Sequence, residues 1–325
     1  MRMAALVHGD ADILMTCPDA QVERKNLIIP WLMGYYPAQT SRLHSDNAPS
    51  LGQACSNYGS CPVGHMIPYI RHELRRMAIA MVGIPDEDHP AAAFAREYMQ
   101  SPHGSGMGNR MQVAVTSQDK PLFPDTEIDD ACLHFRCGDL MLSNHPSFGF
   151  MKFSGFSKRL ANDTKSIGIV TQPFDNDGQT RPADAGPTKK SQCRLAVHKF
   201  RDHLAEKFPN ARIRIHNNPN ETIALTYARM VMANQTISPI SSFSVFPALA
   251  TFGRGYIRKP DFKKALNQWL NSPPVDQFLD NVELMVEPNL LMANQIKYLR
   301  KMPGGNDNVI EWFQNDTFCL GKCKT

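Results

Sequence analysis

The stretch 131-ACLHFRCGDLMLSNHP-146 begins as a buried β-strand and continues as a polar turn. His134 alternates with Leu133 and Phe135, which is the period of a strand that presents two different faces. Gly138 then lets the backbone turn tightly. The stretch therefore predicts a strand that carries an arginine, Arg136, at its carboxyl end.

The segments that follow repeat this pattern, because short β-rich runs alternate with amphipathic ones. The predicted strands after 131–136 are 166–173, 212–217, 235–240 and 255–260. The predicted helices lie near 147–160, 190–208, 221–233 and 242–253, and a last one begins at about 261. Five strand–helix pairs in succession predict an α/β fold, in which a doubly wound parallel sheet is built from right-handed crossovers.

The first 125 residues have a different residue pattern: glycine and proline are frequent, and only one regular helix is predicted. That helix, 66-MIPYIRHELRRMAIAMVG-83, has apolar residues at spacings of three and four and ends at a glycine. The glycines of 101-SPHGSGMG-108 follow no strand, so this segment is predicted to be a flexible loop rather than a phosphate cradle. The change of residue pattern near residue 127 divides the chain into two predicted domains, 1–127 and 128–325.

The same helix also carries a basic cluster. Its members form either a solvated face or a contact for an acidic ligand: Arg71, His72, Arg75 and Arg76.

Polar residues follow four of the predicted strands. In an open parallel sheet, ligands bind outside the carboxyl ends of the strands, so these exits should share one rim. A single polar site explains them more simply than four separate capping roles. The residues expected at this site are His134, Arg136, Gly138, Asp139, Gln172, Asn217, Ser241, Ser242 and Ser244.

Arg136 is the strongest of these candidates. A guanidinium is planar and can donate two parallel hydrogen bonds to the oxygens of one phosphate. It also stays positively charged at physiological pH. Asp139 could orient Arg136, cap the following helix, or simply pair with Arg136 in an internal ion pair. His134 is either a satisfied buried histidine or a ligand contact.

The segment 238-SPISSFSVFP-247 places hydroxyls at the start of a predicted helix. Ser241, Ser242 or Ser244 could cap that helix, and exposed N–H groups beside serine hydroxyls also form a seat for an anion. The two roles are compatible, since a capped helix N-terminus is also where a phosphate would sit.

Several enzyme classes are disfavoured by missing motifs. The chain has no G-x-S-x-G elbow, and neither a P-loop nor a G-x-G-x-x-G motif follows a strand. No Asp-x-Asp pair stands at a strand exit to hold a divalent metal. A bound diphosphate would therefore be neutralised by Arg136 and helix dipoles.

Composition describes a globular chain of 325 residues, 42% hydrophobic and 20% charged. The net charge of +4 suits an anionic small molecule and falls short of a nucleic-acid footprint. No run of about 18 apolar residues could span a bilayer, and the first residues do not resemble a signal peptide. Either the protein is cytoplasmic, or it is anchored in a membrane through a segment that this chain does not include.

The sequons favour an oxidising lumen, whereas the cysteines alone do not settle the compartment. Among the eight cysteines, two pairs are close enough in sequence to close small loops, Cys55 with Cys61 and Cys319 with Cys323, and their spacing does not fit a zinc site. N-glycosylation sequons begin at Asn162, Asn220, Asn234 and Asn315.

The sequence 134-HFRCGD-139 resembles the H-x-R-x-G-D signature of the fucosyltransferase superfamily that makes 1,2-, 1,6- and protein O-linked fucose bonds. Ser242-Phe243-Ser244 is similar to the second mark of that family, a Ser/Thr-Phe-Ser at the start of a late helix near the β-phosphate. The resemblance covers residues 131–257. It implies a GT-B architecture with two Rossmann-like domains, and GDP-fucose as donor without a metal or other cofactor. It also implies that Arg136 contacts the pyrophosphate.

On this basis the expected function is inverting sugar transfer from a nucleoside diphosphate sugar to a hydroxyl of a glycan or glycoprotein. Residues 128–325 would bind the donor and 1–127 the acceptor, in the secretory pathway or Golgi lumen. The catalytic base is not assigned, and four residues of the N-terminal half could serve: His44, Asp46, His65 and Glu73. The alternatives are a non-catalytic nucleotide- or glycan-binding module that uses the basic helix 71–76, or an enzyme of another nucleotide class.

Overall fold

The structure is a computed structural model that describes residues 63–100, 121–137, 149–172, 174, 187–239, 242–258, 280–287, 290–318 and 320. The paired cysteines predicted at Cys55/Cys61 and Cys319/Cys323, the loop 101–108 and the helix expected from 261 lie outside these residues.

The described residues form eight strands and eight helices. The strands are β1 (Ala131–His134), β2 (Gly149–Phe150), β3 (Ser166–Val170), β4 (Arg212–His216), β5 (Gln235–Ser238), β6 (Arg254–Arg258), β7 (Val282–Met285) and β8 (Leu291–Met292). The helices are α1 (Val63–Val82), α2 (Pro90–Gln100), α3 (Phe153–Ser157), α4 (Pro187–Lys207), α5 (Ile223–Met232), α6 (Ser242–Ala250), α7 (Ala293–Lys301) and α8 (Asn306–Gln314).

Six of the strands form one parallel sheet in the order β4-β3-β1-β5-β6-β7. Numbered along the chain, this order is 3-2-1-4-5-6, which is compatible with a Rossmann-like fold. The predicted α/β class with a parallel sheet is therefore confirmed. The sixth strand, β7, was not predicted.

One face of the sheet packs on an aromatic core. Phe135 lies 5.3 to 6.3 Å, between ring centroids, from five other phenylalanines: Phe150, Phe153, Phe156, Phe200 and Phe313. These side chains come from β2, α3, α4 and α8, and all are buried. Because each buried aromatic contributes roughly 1.5–3 kcal/mol of transfer free energy, this cluster holds the residue next to Arg136 firmly in place.

Helix α6 packs on the opposite face, against β5 and β6. Its close approach depends on Gly255, since a Cβ at that position would lie 2.1 Å from the carbonyl oxygen of Ala248. No side chain fits there without moving the helix. The backbone of β6 thus sets how closely the last turn of α6 packs on the sheet.

The predicted helix at 147–160 is wrong in its first half. Residues 149–150 form a strand paired antiparallel with 291–292, and only α3 is helical in this region. The pairing joins residues far apart in sequence, so no local pattern signals it. Helices α2, α7 and α8 and strand β8 were also not predicted.

The chain divides into two compact units. The first comprises the described residues within 1–126, 223–232 and 260–280, and the second those within 127–222, 233–259 and 281–325. The predicted domain boundary at residue 127 lies beside the first division. However, 223–232 and Asp280 were predicted to belong to the C-terminal domain, whereas they belong to the first unit.

The first unit is built around α1. Helix α5 packs against α1, which explains why 223–232 belongs to this unit. His89 donates from Nε2 to the carbonyl oxygen of Met232 at 2.9 Å and accepts at Nδ1 from the N–H of Ala91. The predicted helix at 66–83 is confirmed, and it ends at Gly83, whose φ of 80° suits glycine.

Candidate functional site

The polar exits of β1 and β5 lie side by side at the carboxyl edge of the sheet. These two strands pair in parallel, and the strand order reverses between them. Neighbouring strands are about 4.8 Å apart, and ligands of doubly wound sheets bind at this reversal point. Arg136 follows β1, and Ser242 to Ser244 begin the helix that follows β5, so the two predicted segments share one edge.

A direct contact joins the two segments. The Nδ1 atom of His134 lies 2.8 Å from the hydroxyl oxygen of Ser244, and the His134 ring packs on Phe243 with centroids 5.2 Å apart. These residues are 110 positions apart in sequence. The fold alone brings them together.

The hydrogen bonds around Ser244 run in one direction. The Ser238 hydroxyl donates to the carbonyl oxygen of Pro239 at 3.0 Å, so at its 2.6 Å contact with Ser244 it accepts. Ser244 therefore donates to Ser238 and accepts from His134. It follows that Nδ1 of His134 carries the proton and that Nε2 keeps its lone pair.

His134 is neutral at physiological pH. Burial lowers its pKa to about 3, and the positive charge of Arg136 contributes to the shift. Ser244 is fully buried, and both bonding directions of its hydroxyl are used inside the protein. The structure thus gives these two predicted contacts a positioning role. The backbone N–H groups at the start of α6 lack intrahelical partners, and the prediction of an anion site there depends on them.

Arg136 is half-buried and borders a small cleft. The residues that line it come from β1, β2, α3 and the exit of β5: Phe135, Arg136, Gly149, Phe150, Met151, Phe156 and Pro239. All the lining residues except Arg136 are apolar or glycine. Because apolar walls lower the local dielectric constant, a phosphate beside this guanidinium would be held more strongly than in water.

The remaining predicted site residues are placed only in part. Gln172 is exposed two residues after the end of β3, and Asn217 is half-buried directly after β4, so both lie at the same carboxyl edge. Gly138, Asp139 and Ser241 lie outside the described residues, as do the suggested bases His44 and Asp46. For Ser242, and for the suggested bases His65 and Glu73, only the helical backbone is described.

The basic cluster of α1 is not a solvated face. Arg76 is buried, Arg71 pairs with Asp280 at 3.7 Å, and Arg75 lies over the Phe94 ring at 5.9 Å. Burial, followed by the charge of Arg71, lowers the pKa of Arg75 to about 9. The alternative of an acidic-ligand contact stays a prediction.

Two further features of this edge are a disulfide that was not predicted and a hydroxyl at a predicted polar strand exit. Cys137, next to Arg136, forms a disulfide with Cys193 of α4. Thr171 follows β3, and its buried hydroxyl has no hydrogen-bond partner in the part of the chain that the structure describes. Thr171 belongs to a polar strand exit predicted from the sequence, whereas nothing in the sequence pairs Cys137 with Cys193.

A second polar network lies across β3 and β4. The buried carboxylate of Asp129 accepts from Arg214 and bonds His216 Nε2 at 2.7 Å. Gly168 makes room for it, since a Cβ there would lie 2.5 Å from Asp129 Oδ2. With Arg214 also paired to Glu127, the network ties the start of β1 to β4.

Among the described residues, no group of three or more His, Cys, Asp or Glu side chains could hold a metal ion. In the same part of the chain, no helix has the length and apolar character needed to cross a membrane. No protein-family model, curated protein or solved structure matches this chain.

Proposed function

We propose that this protein is an inverting, metal-independent glycosyltransferase that uses a nucleoside diphosphate sugar, with GDP-fucose as the expected donor. One observation carries the proposal. Arg136 and the N-terminus of α6 lie at adjacent strand exits, where the order of a parallel sheet reverses. A cation and a helix N-terminus at such a place suit a diphosphate.

The proposed chemistry assigns Arg136 to the leaving group. An acceptor hydroxyl oxygen attacks the anomeric carbon from the side opposite the diphosphate, and the bond from that carbon to the β-phosphate oxygen breaks. The electron pair leaves with the diphosphate, and the hydroxyl proton passes to a base that is not assigned. Arg136 and the N–H groups of α6 stabilise the growing negative charge, which fixed donors do without reorganising.

The wider architecture is part of the same proposal. The second compact unit would contain the donor domain of a GT-B enzyme and the first its acceptor domain, so that 223–232 would belong to the acceptor domain. The buried disulfide supports an oxidising compartment such as the Golgi lumen, because such bonds are rare in the cytosol. The partners would be a nucleotide-sugar donor and a glycan or glycoprotein acceptor, with no nucleic acid.

A second candidate is a non-catalytic nucleotide- or glycan-binding module. One observation favours it: among the described residues that line the cleft beside Arg136, none can accept a proton at neutral pH. His134 lies nearby, but it is buried and its Nδ1–H is committed to Ser244.

Thermal-shift screening against GDP, UDP, CMP and ADP, with and without EDTA, tests nucleotide choice. We expect GDP to stabilise the protein, and we expect EDTA to leave that shift unchanged. Stabilisation by UDP that requires Mn²⁺ would overturn the proposal and favour an enzyme of another nucleotide class.

Incubation with GDP-fucose and a panel of hydroxyl acceptors separates the enzyme from the binding module. The proposal expects release of GDP together with a fucosylated product. Persistent inactivity with intact GDP binding would instead support the module.

A further inference from the structure

The disulfide between Cys137 and Cys193 lies directly beside the proposed phosphate-binding arginine. The two Cα atoms are 5.5 Å apart, and both side chains are buried. Cys137 is the residue after Arg136, and Cys193 belongs to α4, the helix between β3 and β4. The bond therefore connects the exit of β1 to a different crossover of the sheet.

The residues on both sides of Arg136 are restrained. On one side, Phe135 donates its N–H to the carbonyl oxygen of Val170 at 2.9 Å and fills the aromatic core. On the other side, Cys137 is tied covalently to α4. With both neighbours held, the peptide that carries Arg136 has little freedom to rotate.

Helix α4 is a rigid anchor for this bond. Four of its apolar residues are fully buried in the core that also contains Phe135: Ala196, Val197, Phe200 and Leu204. Cys137 and Cys193 lie in the same core, but these four side chains are not part of the covalent bond. Loss of the disulfide would therefore release the exit of β1 while leaving α4 on the sheet.

We propose that the Cys137–Cys193 disulfide is a positioning element that presets Arg136 for the diphosphate, so that the oxidised protein binds its donor more tightly than the reduced one. The inference rests on the proposed function. Reduction transfers two electrons and two protons from a dithiol to the disulfide, giving two thiols in the protein and an oxidised reductant. In the reduced protein, the segment after β1 that carries Arg136 is no longer held by the disulfide. If it spends about one tenth of its time in the binding geometry, the apparent dissociation constant of the donor rises about tenfold.

The test is a calorimetric titration of GDP and of guanosine into three proteins: the oxidised wild type, the double variant Cys137→Ala/Cys193→Ala, and Cys132→Ala. Cys132 is another buried cysteine of β1 that lies outside this disulfide, so it controls for the loss of a buried sulfur. We expect GDP affinity to fall about tenfold in the double variant, consistent with a competent fraction of about one tenth. Guanosine affinity should not change, and Cys132→Ala should bind as the wild type does.

A double-mutant cycle shows whether the disulfide acts through Arg136. In an Arg136→Ala background, loss of the disulfide should change GDP affinity less than about twofold, because contacts that depend on each other are not additive. If the double variant does not fold, wild-type protein reduced by dithiothreitol, with its circular dichroism monitored, replaces it.

The outcomes separate the two levels of the claim. If the oxidised wild type binds no GDP, the proposed function fails, and this inference fails with it. If the wild type binds GDP but loss of the disulfide does not weaken binding, only the positioning role is overturned. Equal weakening of GDP and guanosine, or an undiminished effect in the Arg136→Ala background, would also overturn it, because either result indicates a general structural role.

Discussion

His134 connects the exit of β1 to the start of α6 through one hydrogen bond, from its Nδ1–H to Ser244. Its Nδ1–H is used by Ser244, and its burial beside Arg136 disfavours a second positive charge. An imidazolium here would place a buried cation next to the half-buried guanidinium of Arg136. The neutral form is therefore part of the folded state, and acid should destabilise the protein through this residue.

We expect the wild type to lose stability as the pH falls from about 6.5 towards 3, the range between the pKa of His134 in the unfolded chain and its folded pKa of about 3. In this range His134 binds a proton in the unfolded chain but not in the folded protein. Between pH 6.5 and 5 the free energy of unfolding should fall by about 2 kcal/mol from this residue alone.

Urea denaturation of the wild type and of His134→Asn at several pH values measures this loss. The asparagine amide can still donate to Ser244 but does not titrate, so the variant should lack this part of the pH dependence. Parallel curves for the two proteins would contradict the assignment of a neutral His134.

At the scale of elements, local pattern predicts the central strands well. Strands β1 and β3 are buried and largely apolar, which makes their sequence signal strong. Strand β5 is also mostly buried, although Ile237 is its only apolar residue. β7 has a weaker signal because, at the edge of the sheet, it leaves Glu283 and Leu284 exposed.

Long-range contacts account for the elements that the sequence did not reveal. The pairing of β2 with β8 and the packing of α7 and α8 depend on residues more than a hundred positions apart. Lys152 shows this most clearly. Its buried ammonium donates to the carbonyl oxygens of Trp312, Asn315 and Phe318 at and after the end of α8. Nothing near residue 152 indicates these partners.

Lys152→Met should lower the free energy of unfolding by about 2–3 kcal/mol, because three carbonyl oxygens lose a charged donor. The matched control is Lys158→Met. Lys158 is exposed and pairs with Glu287 at 3.1 Å, so its loss should cost less than about 1 kcal/mol. Chemical denaturation of both variants checks the difference, and equal costs would contradict the capping role of Lys152.

At the scale of the whole sheet, strand order decides where the polar exits meet. The sequence predicted parallel strands and a shared rim, but not that β1 and β5 are neighbours, since no local pattern encodes the order 3-2-1-4-5-6. The proximity of Arg136 to α6 was therefore a hypothesis until the order was known. The order also defines an opposite edge that should play no part in binding.

Two positions flanking β3 test this polarity. Gln172 is exposed beyond its carboxyl end, and Asn162 is exposed in the turn before its amino end. Gln172→Ala should weaken GDP binding by about 2- to 10-fold, the loss expected for one hydrogen bond. Asn162→Ala should bind GDP as the wild type does. Titration of GDP into both variants checks this. A larger loss of GDP affinity in Asn162→Ala than in Gln172→Ala would place the ligand at the amino edge of the sheet and contradict the account.

The central claim is that Arg136 holds a diphosphate at the carboxyl edge of the sheet. The most direct measurement is calorimetric titration of GDP, in EDTA, into the wild type, Arg136→Ala and Arg201→Ala. Arg201 is an exposed arginine of α4 that pairs with Asp202, and it controls for the loss of one positive charge. We expect Arg136→Ala to bind GDP at least about tenfold more weakly, as the loss of a charge-assisted contact requires, and Arg201→Ala to match the wild type. Equal GDP affinity in the wild type and Arg136→Ala would contradict the claim.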